Sequence, residues 1–401
     1  MKRTYFVFEL KSFFANKKNL AAIILLFLGT LYYSLIVNPK EVPNESVDET
    51  SIQNELTKGE FFEEHVGEIT EGTHSSTLFA LSYFIPLTEL NWERVQALDS
   101  NDLKTYTEKT IDWYLYQDAY ASVSDYVRYS SHYYGKDQHY PKEEGSFFYR
   151  YTASRYQGYL DRHLPITREL LDERTGLQTL QRVMQTVFPL LILALVVIFS
   201  NDILVKDRKH LTLVKSYPLS FTTRLWIKTG VVLAALFLTV GLSIGMGLLL
   251  VSAKNGIGSF NIPVPFYDGK IYDGAEFHLF SMGSYLLKSL TLYVFAAFLL
   301  IRFLMLLSVL VGNEFFNLIA GLAVVFAEGI YYKRGIGFFT NLDRLPTTFF
   351  KIGDVLIGYQ NHLYNSYEIT FRNGVVAIGL SILAVEVLLF LLTRFQRFKS
   401  Y

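Results

Sequence analysis

The 401-residue chain offers few side chains that could make or break a covalent bond. It has no cysteine, which excludes disulfides, thiolate metal sites and thiol nucleophiles. It has no G-x-x-x-x-G-K-[ST] phosphate loop, so ATP is not hydrolysed by that route, and neither H-E-x-x-H nor G-x-S-x-G occurs. His132 and His139 share a tyrosine-rich run with nothing beside them to complete a metal shell, and read as surface histidines. Glu143-Glu144 has the paired-carboxylate look of an intramembrane protease but lacks an arginine at the required spacing. The chain is therefore not expected to be an enzyme. The residues placed to do work are charges in unusual surroundings. Asp202, Lys206, Asp207, Arg208, Lys209 and Lys215, followed by Tyr217 and Pro218, lie in one short basic segment with an apolar side. Arg302 and Glu386 fall inside long apolar runs, where a charge is costly and faces protein or water. They form either a polar contact along a substrate path or a structural pair, with each other or with a neighbouring chain.

The elements that must position these charges are membrane spans. Hydrophobic residues make up 51% of the chain and its mean hydropathy is positive, more apolar than a soluble domain of this size. Net charge is zero, so nothing points to nucleic acid, which needs a basic face. The 28 Tyr and 33 Phe suit membrane interfaces and wet outer surfaces. About 20 apolar residues cross a bilayer as a helix. Spans are expected at 20–37, 183–200, 229–252, 289–311, 315–330 and 375–393. Pro189 is expected to kink the second span. The fourth and fifth are divided at Gly312-Asn313-Glu314, because a turn at Arg302 would leave Asn313 and Glu314 deep in lipid. Residues 20–37 resemble a signal peptide in position but lack a cleavage site, and read as an uncleaved anchor.

The fold class is thus an all-α membrane protein of about six transmembrane helices. Lys and Arg concentrate before the first span, between spans two and three, and at the C-terminus, which predicts both termini in the cytoplasm of a multi-pass plasma-membrane protein. Segment 331–374, read as an outer loop like 253–288, weakens that balance through Lys333, Arg334, Arg344, Lys351 and Arg372. Residues 38–182 then form a mainly helical extracytoplasmic domain between spans one and two. Ile111, Leu115, Ala119, Val123 and Val127 recur at helical spacing there. Its many tyrosines, among them Tyr114, Tyr133, Tyr149 and Tyr156, make either a packed core or an aromatic surface that grips an amphipathic peptide or a lipid.

Two cytoplasmic segments carry more information. Residues 1–19 combine Tyr5, Phe6, Phe8, Phe13 and Phe14 with Glu9, Lys11, Lys17 and Lys18, which suits a helix lying in the interface. In 201–228, Pro218 stops one helix and Ser220 can cap the next. Such a helix-stop-helix suits a lever pushed by a docked partner; the plain alternative is a basic loop that only sets topology.

The run K-S-Y-P-L-S, continuing through Arg224 and Lys228 into a span, resembles the coupling segment of permease subunits in ABC-type exporters, and 1–19 resembles their elbow helix. The turn at Asn313 and the stretch from Leu345-Pro346 to Gly353-Asp354-Val355-Leu356-Ile357-Gly358 are similar too. The resemblance covers most of the chain outside 38–182. It implies a separate ATP-binding cassette ATPase subunit that uses ATP and Mg, docked on Asp202, Lys206, Asp207, Arg208, Lys209, Lys215, Tyr217 and Pro218. It also implies a second permease chain, identical or different, facing this one in membrane lipids. The expected function is export of an amphipathic peptide or lipid-like molecule. The competing expectation is a receptor or sensor that binds an extracellular ligand through 38–182.

Overall fold

The computed structural model describes residues 1–134, 140–209, 218–269, 277–331 and 342–394. For Arg208 and Lys209 it describes the helical backbone alone. Lys215 and Tyr217 lie outside the described residues, as do His139, Lys333 and Arg334. The chain is mostly helical and divides into two compact units. One comprises Met1–Glu41, Thr179–Ile257 and Tyr285–Tyr401; the other comprises Val42–Gln178 and Gly258–Ser284.

The first unit is built on apolar helices. An N-terminal helix, Lys2–Ala15, ends at Asn16, whose extended backbone breaks it and whose side chain accepts the Lys18 N–H at 3.2 Å, starting the next helix. That first long helix, Lys17–Tyr32, runs on through a π-helical turn, Tyr33–Val37. The second begins at Phe188 and is α-helical to Ser200. Pro189 sits in its first turn, where a missing N–H costs no hydrogen bond, so the proline starts this helix instead of kinking it. The third, Phe221–Asn255, is capped by Ser220, which accepts the Thr223 N–H at 3.2 Å, and ends at Gly256, whose φ of 75° no branched residue adopts readily. The fourth is Met282–Leu310 and the last is Phe371–Arg394.

Among the described residues five helices are long and apolar enough to cross a membrane. The expected span at 315–330 takes a different form. Asn313 turns the chain and caps a 12-residue helix, Glu314–Val325, by accepting the Phe315 N–H at 2.9 Å. At 1.5 Å per residue that helix is about 18 Å long, short of the hydrocarbon core. A second short helix, Ala327–Tyr331, follows it. Before the last helix, Ile352–Leu356 packs so closely on the backbone of Met184 that a Cβ at Gly353 would stand 2.1 Å from the Met184 carbonyl oxygen.

The second unit contains four main helices: Glu49–Glu64, Ser75–Asp99, Leu103–Ala121 and Pro141–Asp161. An antiparallel hairpin, Pro263–Tyr267 with Phe277–Ser281, belongs to this unit, so part of the expected 253–288 loop folds with it. The hairpin lies on the Pro141–Asp161 helix through Phe147 against Tyr267 and Phe277; Gly158 leaves room for Pro263 and Leu279. Tyr106, Tyr114, Tyr129, Tyr133, Tyr149, Tyr156 and Tyr159 are all buried, with the Tyr149 ring edge-on to those of Tyr114, Tyr129 and Tyr133. Most of the tyrosines are therefore core, packed in the edge-to-face geometry that aromatic quadrupoles favour.

Candidate functional site

Several of the charges singled out in the sequence come together at one end of the apolar helices. Three helix ends meet there with the N-terminal helix. The second long helix finishes at Ser200, and the chain turns through Asn201–Leu204 into the short helix Val205–Lys209. Asp202 is buried at this turn. Its carboxylate accepts from Lys18 Nζ at 2.8 Å and Asn16 Nδ2 at 3.1 Å, and pairs with Lys206 Nζ at 3.1 Å. Lys18 also donates to Asn201 Oδ1. One carboxylate thereby fastens the start of the first long helix to the end of the second.

A second cluster ties in the third helix. Lys228 is 3% exposed, and its ammonium lies 2.8 Å from Glu9 Oε1, 3.0 Å from Asp207 Oδ1 and 3.3 Å from the Ile203 carbonyl oxygen. Two carboxylates and a carbonyl thus surround this deeply buried ammonium and stand in for its lost water. Glu9 comes from the N-terminal helix, so Lys228 joins that helix to the turn and to the third long helix. Tyr5, one turn earlier on the N-terminal helix, is buried too, and burial beside Glu9 raises its phenol well above the ordinary value. The turn between the fourth long helix and Glu314–Val325 closes the same end: Asn317 Nδ2 donates to the Asn201 carbonyl at 2.9 Å and to Ser308 Oγ at 2.7 Å.

Of the expected coupling residues, Asp202, Lys206 and Asp207 are thus engaged inside the unit. Pro218 is exposed. Arg208 and Lys209 lie on the Val205–Lys209 helix with side chains outside the description, and Lys215 and Tyr217 lie outside the described residues. Sequence reasoning missed that Glu9, Asn16, Lys18 and Lys228 are the partners of these acids. The one available signal was Lys228, a cation about two turns into an apolar helix, which needs a counter-charge.

Arg302 and Glu386 meet farther along the helices. The Arg302 guanidinium donates through Nη2 to Glu386 Oε2 at 2.7 Å and through Nε to Oε1, a two-pronged pair between the fourth and last helices. Nη1 reaches Thr229 Oγ1 on the third helix at 3.3 Å, and the Trp226 ring centroid lies 4.7 Å from the guanidinium carbon. The two charges singled out inside the apolar runs thus pair with each other. An apolar cavity of about 200 Å³, lined by Met184, Leu193, Leu236, Tyr293 and Ala297, lies within the same unit.

Fold and site together define a multi-pass helical membrane protein whose N-terminal helix is ion-paired to the ends of its spans. Comparison with family models, with curated proteins and with solved structures finds no match. Among the described residues no group of His, Asp and Glu is arranged to hold a metal ion.

Proposed function

We propose that this chain is the permease subunit of an ABC-type exporter, moving an amphipathic substrate across the plasma membrane with energy from ATP hydrolysed on a separate subunit. The observation that carries the reading is the pair of charge clusters, Asp202 with Lys18 and Lys206, and Lys228 with Glu9 and Asp207. They link the segment after the second long helix to three other helices. A force applied by a docked ATPase to Arg208, Lys209 and the residues through Pro218 would pass through Asp202 and Asp207 into the first and third helices and the N-terminal helix. Asp202, Lys206 and Asp207 then transmit motion, while the residues after them receive it. Closure of an ATPase dimer would bias the spans between inward-open and outward-open arrangements. In this reading the charge-clustered end faces the cytoplasm, and a second permease chain would lie against the first or last helix, both of which leave most of their apolar surface uncovered.

The test is purification of the full chain from its native membrane, followed by identification of a bound ATPase and measurement of its hydrolysis. The exposed Pro218→Ala substitution, together with Arg208→Ala, is expected to weaken stimulation of hydrolysis while the permease stays folded. Unchanged binding and stimulation would overturn the proposal. A second reading, a receptor for an extracellular ligand, is favoured by a cavity in the unit formed by Val42–Gln178 and Gly258–Ser284; it predicts ligand binding with no ATP-dependent transport.

A further inference from the structure

The Val42–Gln178 part of the second unit contains a cleft of about 580 Å³ that is open to solvent on one side. That falls within the roughly 300–1,000 Å³ of small-molecule sites. Its wall holds two opposite charges that do not touch. Arg94 is buried; its Nε donates to Thr110 Oγ1 at 3.2 Å and its Nη1 to Asn91 Oδ1 at 2.8 Å, and its Nη2 has no acceptor among the described residues. Glu55 accepts through Oε2 alone, from Asn91 Nδ2 at 3.1 Å and Trp113 Nε1 at 3.1 Å, leaving Oε1 without a donor among the described residues. The fully buried Asn91 amide is thus a spacer, one end on the cation and the other on the anion. Trp113 does the same with a ring: its indole N–H holds Glu55, and its face lies 4.6 Å from the Arg94 guanidinium carbon.

An arginine and a glutamate sharing one cavity wall gain most by pairing directly, fork to fork. Here an amide and an indole hold them apart, each with an unused hydrogen-bonding atom. Two further features mark a built site. Glu45, also in the wall, is buried with Oε2 unpartnered among the described residues. Beyond Arg94 and Glu55 the lining carries Asp48 on the acidic side and Lys58 and Arg128 on the basic side. A wall with both signs favours a ligand built the same way. Aromatic rings, among them Phe79, Tyr83 and Tyr149, share the rest of the wall with polar residues such as Ser51, Ser76 and Gln117, and offer a face to an apolar body.

We propose that this cavity binds a small zwitterion with an apolar body, its anionic oxygens on Arg94 and its ammonium on Glu55. Two sources share that chemistry: a free α-amino acid, and the headgroup of a zwitterionic lipid bearing a primary ammonium. The site does not depend on the exporter reading, and its test reads binding, not transport.

The full chain is reconstituted in nanodiscs of anionic phosphatidylglycerol, and binding is followed by calorimetry and by tryptophan fluorescence. The probes are L-phenylalanine, its amide, its N-acetyl derivative and glycerophosphoethanolamine. At least one of the two zwitterions is expected to bind saturably. Saturation by L-phenylalanine identifies the amino-acid source, and saturation by glycerophosphoethanolamine alone identifies the headgroup. If L-phenylalanine binds, the amide and the N-acetyl derivative should each be roughly 10- to 100-fold weaker, the loss expected for one charged hydrogen bond. Arg94→Gln should then abolish the preference for the carboxylate over the amide, and Glu55→Gln the preference for the free amine. Should either variant fold poorly, the ligand comparison on the native chain decides alone. Saturation by neither zwitterion, or binding of the amide or the N-acetyl derivative as tight as that of L-phenylalanine, would overturn the proposal.

Discussion

Glu45 is a carboxyl that the fold keeps from water. It is buried against Arg155 and Thr152, with Glu173 on the other side of the same guanidinium. Burial pushes its pKa up to about 8, opposed by Arg155 and reinforced by Glu173. The sign of the pH effect follows. Between the ordinary glutamate value of 4.5 and about 8, the folded chain keeps a proton that the unfolded chain releases. Stability of this unit therefore falls as pH rises through that window and is greatest below it. Hydrogen exchange of amides in Pro141–Asp161, corrected for intrinsic rate, should show protection declining from the lower to the upper end of that range. Glu45→Gln should flatten the decline. Arg302 and Glu386 make a different prediction at this scale. Arg302 is 2% exposed, whereas the Glu386 side chain is 26% exposed. Glu386→Gln strands a buried cation and should cost about 3–5 kcal/mol, while Arg302→Gln leaves an acid that can reach water and should cost less. Thermal unfolding in detergent measures both. Equal losses would contradict the pairing as described.

At the scale of elements, the N-terminal helix is held by charge as well as by apolar contact. Its Glu9 meets Lys228, and Asn16 and Lys18 at its junction with the first long helix meet Asp202. Glu9→Ala and Lys228→Ala should therefore be strongly non-additive, with a coupling of roughly 0.5–3 kcal/mol in a double-mutant cycle. Exchange protection of Lys2–Ala15 should fall in each single variant. The sequence made this helix legible as an element, through its aromatic residues and flanking lysines, because local composition encodes an interfacial helix. It did not show which distant acids those lysines would meet, since Lys18 and Asp202 are 184 residues apart and periodicity carries no information across that interval. The hairpin Pro263–Tyr267 with Phe277–Ser281 was hidden for the same reason: it packs on a helix more than a hundred positions earlier. Glu314–Val325 was overextended because the apolar run continues beyond the point where the helix stops.

At the scale of the whole molecule, the absence of native cysteine makes sidedness directly measurable. Val123→Cys, at a position 81% exposed, and Thr222→Cys, at an exposed position opening the third long helix, each introduce one thiol. On the proposed topology a membrane-impermeant maleimide labels the first on intact cells and the second only after permeabilisation. Labelling of Thr222→Cys from outside would remove the proposed docking face from the compartment that holds ATP. The helical membrane class was plain from composition and the length of apolar runs. The aromatic content of 38–182 was legible, but the division of its tyrosines between a core and a cavity wall depends on tertiary packing.

The pairing of Arg302 with Glu386 also bears on how the protein is made. The two residues are separated by 84 positions, so the arginine leaves the ribosome first. At about 5–20 residues per second, its counter-ion follows roughly 4–17 seconds later. During that interval the nascent fourth helix carries a cation whose carboxylate partner has not been made, with only Thr229 and Trp226 of the third helix to meet it. The Arg302 pair is thus completed only when residue 386 has been made, and a message truncated before codon 386 is expected to yield a less stable product that is degraded faster.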